Sequence, residues 1–406
     1  MWHNQFVGRI DLGYGDVGCF GCPDISTPNL DAIASQGVRM AQFYAAAPIC
    51  SPTRVSALTG LYPHRTSLSG LPDSHDPDQG LPADEVLLTE VLKTAGYATG
   101  LVGKWHLGYS PKFRPRRQGF DEYVGELAGS AGYFDHIYGT DGINQKWMFR
   151  NDTPWDEPGY LTDIWTNEAN SFISRHKNHP FFLYIAYNAP HSPLAAPDGR
   201  VGETREIIKA VIERMDTGIG QVMQHLSDLG LEDNTLVLFH SDNGADTSGA
   251  GSNGPLRGGK RTCYEGAIRV PCVAKWPGRI GPGLVVNEPI ISMDVFNTFA
   301  AAAGAKIPPG AGVDGRNVLK VLQGMAPTPH DYLCWRWQSV YAARRGKWKL
   351  VQENDVVTGL YDLSVDIGET TNRASQQPTI VKELQTKITQ WQDNLARRMS
   401  YIVTND

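Results

Sequence analysis

Cys50 is followed by Ser51-Pro52-Thr53-Arg54 and, after Val55 to Leu58, by Thr59-Gly60. Ser51 can cap a helix and Pro52 suits a first turn, so the spacing predicts a helix opening beside a lone cysteine, with Arg54 one turn inside. The free N–H groups and positive dipole end of that helix would seat an oxyanion, and the guanidinium adds a planar fork of donors. Such a seat suits a tetrahedral anion.

Other chemically loaded residues follow the apolar runs that read as buried strands. After Thr235 to Phe239 comes His240-Ser241-Asp242-Asn243-Gly244, and near the N-terminus Asp11 precedes Leu12-Gly13-Tyr14-Gly15-Asp16. Oxygen donors without clustered cysteines or paired histidines suggest a hard cation, Ca²⁺ or with less reason Mg²⁺, over zinc. Taken alone, Asp242 and Asn243 would equally form an ordinary turn. Lys104 and His106 follow Ala98 to Val102, His191 follows Pro180 to Tyr187, and Lys260 closes a stretch from Ala245 dense in Gly, Ser and Asn that reads as a mobile surface loop. Each is unremarkable in isolation. In a parallel α/β sheet, however, ligands bind outside the carboxyl ends of the strands, where Arg54, Lys104, His106, His191 and Lys260 would converge beside the metal.

The elements that must position these residues alternate between apolar runs and helices, which predicts a mostly parallel sheet flanked by helices, an α/β fold. Helices are expected from Thr27 to Gly37, Asp84 to Gly96 and Thr204 to Leu229. Beyond about residue 305, Pro308-Pro309-Gly310 breaks the pattern, and Ser339 to Ala343, Trp348 to Gln352 and Leu360 to Leu363 read as antiparallel strands. A final helix carries Ile380, Val381, Leu384, Ile388, Trp391 and Leu395 on one face. The expected organisation is a catalytic domain over 1–305 and a smaller α+β domain over 306–406 with an antiparallel sheet and a helix.

The net charge of −6 over 406 residues gives no surface for nucleic acid or an anionic membrane, so affinity for an anion must come from a local cluster. The scattered six cysteines, including Cys19 and Cys22, do not form a disulfide framework. No apolar run reaches the length of a transmembrane helix, and residues 1 to 10 lack the features of a signal peptide.

The Cys50 to Gly60 pattern, Val102 to Gly108, Ala189 to His191, Ser241 to Gly244, and Gly258-Gly259-Lys260 with Glu265-Gly266 stand in the order in which type I sulfatases carry them, and along nearly its whole length the chain resembles that family. Gly251 to Leu256 looks like the arylsulfatase A and N-acetylgalactosamine-6-sulfatase branch. A cysteine-dependent phosphatase fails on spacing, since its arginine would fall where Ser56 stands. The resemblance implies an alkaline-phosphatase-like α/β domain, bound Ca²⁺ and hydrolysis of sulfate esters of a carbohydrate or an aryl alcohol. It further implies that a formylglycine-generating enzyme converts Cys50 to formylglycine and that the protein is exported to the periplasm or beyond. By the same resemblance Arg54 and Lys104 stabilise the hydrated aldehyde, His106 removes its proton, His191 and Lys260 bind sulfate, and Asp11, Asp242, Asn243 and the matured Cys50 hold the metal.

The chain departs from the family pattern at its start. Two consecutive aspartates are expected before Leu-Gly-Tyr-Gly, but the pair reads Ile10-Asp11, and Trp2 to Arg9 is poorly apolar for a central strand. The first strand is therefore expected to be incomplete and the metal site short of negative charge. Ala267 also replaces a usual glycine. Two other activities share these residues: a formylglycine-dependent phosphonate or phosphodiester hydrolase, and a homologue that binds sulfated glycans without turnover. Trp105, Tyr109, Trp147, Trp335 and Trp337 are expected to offer stacking faces for sugar rings.

Overall fold

The computed structural model describes residues 3–9, 11–138 and 145–403. In chain order its strands are β1 (His3–Arg9), β2 (Val38–Met40), β3 (Phe43–Tyr44), β4 (Ala98–Gly103), β5 (Glu122–Glu126), β6 (Met148–Arg150), β7 (Thr153–Pro154) and β8 (Phe181–Ala186). They continue with β9 (Thr235–Ser241), β10 (Cys272–Lys275), β11 (Leu284–Val286), β12 (Ile290–Ile291), β13 (Leu333–Trp337), β14 (Val340–Arg345), β15 (Trp348–Glu353) and β16 (Val356–Asp362). Ten of them form one sheet in the order β11-β2-β10-β9-β1-β8-β4-β5-β6-β7. Its centre, β9-β1-β8-β4-β5, is parallel, while β10, β6 and β7 add antiparallel pairings.

The central strands β8 and β9 are buried along their whole length, as expected of a sheet covered on both faces by helices. Two apolar clusters fill the space between sheet and helices. One gathers Leu58, Leu88, Leu101, Phe182 and Phe299, and the other Leu30, Ile164, Ile185, Val211 and Phe239. Contrary to the expectation of an incomplete first strand, β1 spans seven residues and pairs with β9 from His3↔Thr235 to Arg9↔Ser241 and with β8 from Asn4↔Phe182 to Gly8↔Ala186. Ladder pairing uses backbone N–H and C=O groups, so two complete neighbours hold a strand whose sequence is poorly apolar. Ile10 lies outside the described residues.

The helix Arg205–Asp228 starts where the sequence placed it, with Thr204 Oγ1 accepting from the Ile207 N–H. The helix expected over Asp84 to Gly96 is confined to Leu88–Lys93, because the cap is made by Glu90, whose carboxylate accepts from the Leu87 N–H. The C-terminal sheet β13-β14-β15-β16 is antiparallel. β13 was not foreseen. The helix Pro378–Val403 packs on this sheet through Leu384, Ile388, Trp391 and Leu395, in one cluster with Tyr44, Tyr62 and Ile268 of the larger sheet's surroundings. Among the described residues no helix is long and apolar enough to cross a membrane.

Candidate active site

Cys50 is the first residue of the helix Cys50–Thr59 and is almost wholly buried. Ile49, extended, occupies the cap position, and no side chain caps the helix. Ser51 therefore does not play the expected capping part: its hydroxyl donates instead to the His106 carbonyl at 2.8 Å, tying the helix start to the segment after β4. Arg54, one turn in, is 1% exposed. Its Nε donates to Asp242 Oδ2 at 3.1 Å, and its Nη1 donates to the Lys104 carbonyl at 2.9 Å and the Tyr184 hydroxyl at 3.2 Å. Among the described residues Nη2 has no partner, which leaves one strong donor available to a ligand.

The segment after β4 brings two more groups to Cys50. Lys104 is fully buried, its Nζ donating to the Gly129 carbonyl, and burial pushes its ammonium below the ordinary lysine value. His106 sits at φ 57°, a left-handed conformation uncommon outside glycine and asparagine, and its Nδ1 lies 3.3 Å from Cys50 Sγ. Burial, together with Lys104 and Arg54, holds its pKa well below the usual histidine value, so the ring is neutral near pH 7 and able to accept a proton. Gly129 is packed against that ring. A Cβ there would stand 2.5 Å from His106 Nε2, so Gly129→Ala is expected to displace the imidazole and lower kcat by about 10- to 100-fold. Steady-state kinetics beside a melting curve checks this, because a loss confined to Tm would assign Gly129 to packing alone.

A second group of residues stands at the ends of β1, β8 and β9. Asp11, also at positive φ (58°), accepts at Oδ1 from Asn243 Nδ2 (2.6 Å) and at Oδ2 from Lys260 Nζ (2.6 Å). His191 Nε2 is 3.4 Å from Lys260 Nζ and 3.6 Å from Asp11 Oδ2. Burial works against the Asp11 carboxylate, but Lys260 and His191 outweigh it and hold the carboxyl below its ordinary range. His191 is pushed down to about 3, chiefly by burial. Ser241 Oγ donates to the Asn243 carbonyl (2.7 Å) and accepts from the Leu12 N–H (3.2 Å), bracing the two loops against each other.

Taken alone, the sequence allows Asp242 as an ordinary turn residue. The residue is 2% exposed, because the turn folds over the Cys50 helix and delivers the carboxylate to Arg54. Among the described residues its Oδ1 and the Asn243 Oδ1 are buried without a hydrogen-bond partner. Orphaned oxygens in a dry site are costly unless something satisfies them, and a hard divalent cation does so. The donors present thus fit a Ca²⁺- or Mg²⁺-type ion. Among the described residues no three His, Cys, Asp or Glu side chains are grouped to hold a metal by themselves, so amide, water or substrate oxygens must complete the shell.

Lys260 reaches the site from a loop without helix or strand that is not loosely held. Asn253 accepts from the Ala245 N–H and donates to the Ala245 and Gly258 carbonyls, and the Ser252 N–H donates to Asp16 Oδ2. A cavity of about 800 Å³ is lined by Asp11, His191 and Lys260 together with Asp135, Glu203 and Asp246. The aromatic residues expected to line such a cleft do not. Trp105 and Trp335 are buried and donate to the Phe113 and Ala45 carbonyls, and Tyr109 is buried edge-on to the half-buried Trp147. Apolar area wins their rings for the core.

The profile of the sulfatase family matches residues 11–305. The chain belongs to the sulfatase family. A second profile, described as N-sulphoglucosamine sulphohydrolase, C-terminal, matches residues 258–394. Human N-acetylgalactosamine-6-sulfatase is 37% identical over 360 residues, which cover 84% of this chain and 69% of that protein. Human arylsulfatase A is 35% identical over 374 residues, 84% of this chain and 72% of that protein. Among solved structures, Ps i-CgsB in complex with k-i-k-neocarrahexaose superposes with a TM-score of 0.90 at 31% identity, covering 96% of this chain and 92% of that one. The protein is a sulfuric ester hydrolase with the alkaline-phosphatase-like sulfatase fold.

All the candidate residues of this sulfatase, Cys50, Arg54, Lys104, His106, His191, Lys260, Asp11, Asp242 and Asn243, meet at the carboxyl ends of the parallel strands. Two neighbours went unnoticed in the sequence, Tyr184, which accepts from Arg54, and Gly129, which packs on His106, while Ser241, read there as part of a motif without a role, braces Asn243. Tyr184 lies inside an unbroken apolar run, and no spacing rule marks it.

Proposed function

We propose that this sulfatase hydrolyses the sulfate ester of a sulfated carbohydrate, using a formylglycine formed from Cys50 by a maturation enzyme and a bound Ca²⁺. The observation that carries the reading is the burial of Cys50 among Arg54, Lys104 and a neutral His106, beside two orphaned oxygens. A thiol alone has no second oxygen to release the sulfated intermediate. A hydrated aldehyde supplies two hydroxyls, one to attack sulfur and one whose deprotonation expels sulfate. Asp11, Asp242, Asn243 and the matured residue 50 would hold the cation, which when bound supplies Lewis-acid neutralisation of the sulfate oxygens.

The chain's own residues do the rest. Arg54, fixed by Asp242 and Tyr184, keeps a free Nη2 donor, and Lys104 brings a second cation to the same anion. His106, neutral and within reach of residue 50, takes the proton from the second hydroxyl. Lys260 and His191, which line the cleft, bind sulfate oxygens and assist the departing alcohol. The carbohydrate class is supported by the relatives: one is named for an N-acetylgalactosamine sulfate, and the structure of another holds a neocarrahexaose.

Expression with and without a formylglycine-generating enzyme, assayed on an aryl sulfate, sulfated oligosaccharides and a phenyl phosphonate in parallel, tests the reading. Turnover should appear only with maturation and favour sulfate; a preference for phosphonate would replace the sulfate reading. His191→Ala should lower kcat/KM for the aryl sulfate at least about tenfold, the worth of one charge-assisted hydrogen bond, with little change in Tm because the ring is partly exposed. Unchanged kcat/KM would take His191 out of the site. Lys260→Ala should cost stability as well, since it leaves the Asp11 carboxylate without its cation.

A further inference from the structure

Glu126 ends β5, the strand beside the one that delivers Lys104. Its backbone carbonyl accepts from the Trp105 N–H at 2.8 Å, and the Leu127 carbonyl accepts from the His106 N–H at 3.2 Å, so Glu126 belongs to the segment that sets the Lys104–His106 turn. Its side chain is completely buried, and among the described residues neither carboxylate oxygen has a hydrogen-bond partner. The reaction described above does not use it. A carboxyl placed dry and unbonded beside a catalytic cluster costs stability that an apolar residue would not, and so calls for a role.

The charged and titratable groups that act on it are Lys104 at the end of β4, Arg54 on the Cys50 helix, and the hydroxyls of Tyr109, Tyr123 and Tyr133. Among the described residues the cations that act on it are Lys104 and Arg54, and both are the groups that face the incoming sulfate. An ionised Glu126 and a bound sulfate therefore compete for the same two positive charges in a low-dielectric site. Protonation of Glu126 removes the competitor.

We propose that Glu126 is a positioning residue acting through Lys104, whose carboxylate opposes anion binding, so that an anion entering the Cys50 site is accompanied by uptake of one proton on Glu126. The inference rests on the sulfate-ester reading of that site. Burial pushes the Glu126 carboxyl up to about 7, against the pull of Lys104 and Arg54, which places the exchange in the neutral range. His106 and His191 are both held below that range and do not supply the proton.

Equilibrium dialysis of the full chain with radiolabelled inorganic sulfate, calcium present, decides the matter. One-proton linkage predicts about tenfold tighter binding near pH 6 than near pH 8. In Glu126→Gln, and in Glu126→Met should the amide fold poorly, binding should be tight and independent of pH over that range. The native chain should also lose stability relative to either variant as pH rises from about 5 to about 7, because its folded carboxyl titrates above the unfolded one. Sulfate binding by the native chain without pH dependence, or pH dependence that survives both substitutions, overturns the proposal and leaves the sulfate reading standing. Failure of the native chain to bind sulfate at any pH overturns both.

Discussion

Replacing Cys50 by alanine is expected to lower kcat/KM for an aryl sulfate by at least about 10⁴-fold, the scale on which a covalent nucleophile's removal is felt. The residue fills little volume, and among the described residues its side chain makes a polar contact with His106 Nδ1, so Tm should move by no more than a few degrees. Cys50→Ser should be nearly as inactive, because one hydroxyl can attack sulfur but offers no second oxygen for His106 to deprotonate. Arg54, Lys104 and the other anion-binding groups stay in place in both variants. Sulfate affinity, measured by dialysis, should therefore persist while turnover is lost. Retention of activity by either variant would move the nucleophile elsewhere.

The second large effect concerns Asp242, and it separates a metal ligand from a structural counter-ion. Asp242→Ala strands a guanidinium that is 1% exposed and removes its ion-pair partner. Breaking a buried pair from one side typically costs about 3 to 5 kcal/mol, so the alanine variant should unfold at markedly lower denaturant. Asp242→Asn keeps an acceptor for Arg54 Nε but loses the negative charge, and most of the stability should return. Calcium affinity, set largely by ligand charge, should fall in both variants. Isothermal titration with Ca²⁺ beside denaturant unfolding reads the two effects separately. Normal calcium binding by the stable asparagine variant would leave Asp242 as the partner of Arg54 alone.

The parts of the molecule legible in the sequence are those where local pattern and tertiary demand agree. Phe181–Ala186 and, within Thr235–Ser241, Leu236 to Phe239 are continuous apolar runs because the strands are buried on both faces, and the polar residues that follow each run mark the sheet's carboxyl edge. Failures arise where a distant partner decides. The Asp84 to Gly96 pattern was read from its polar start, but the cap is the Glu90 carboxylate, at the third helical position, accepting from the Leu87 N–H, which starts the helix at Leu88. Leu333, Cys334 and Trp335 are buried in succession, so β13 shows no alternation to read. Asp242 looked like a turn residue since nothing local announces that Arg54, 188 positions away, needs its charge. Glu126 was overlooked for the opposite reason: a lone glutamate in a strand reads as a solvated edge, and only packing reveals it as a buried acid.

The central claim is that residue 50 acts as an aldehyde and not as a thiol. The most direct test is mass spectrometry of the Cys50 peptide on the same samples used for aryl-sulfate turnover, prepared with graded amounts of the maturation enzyme. The account predicts that kcat rises in proportion to the fraction of peptide carrying the aldehyde and extrapolates to zero for the thiol. Full turnover from protein whose residue 50 is entirely cysteine would contradict it.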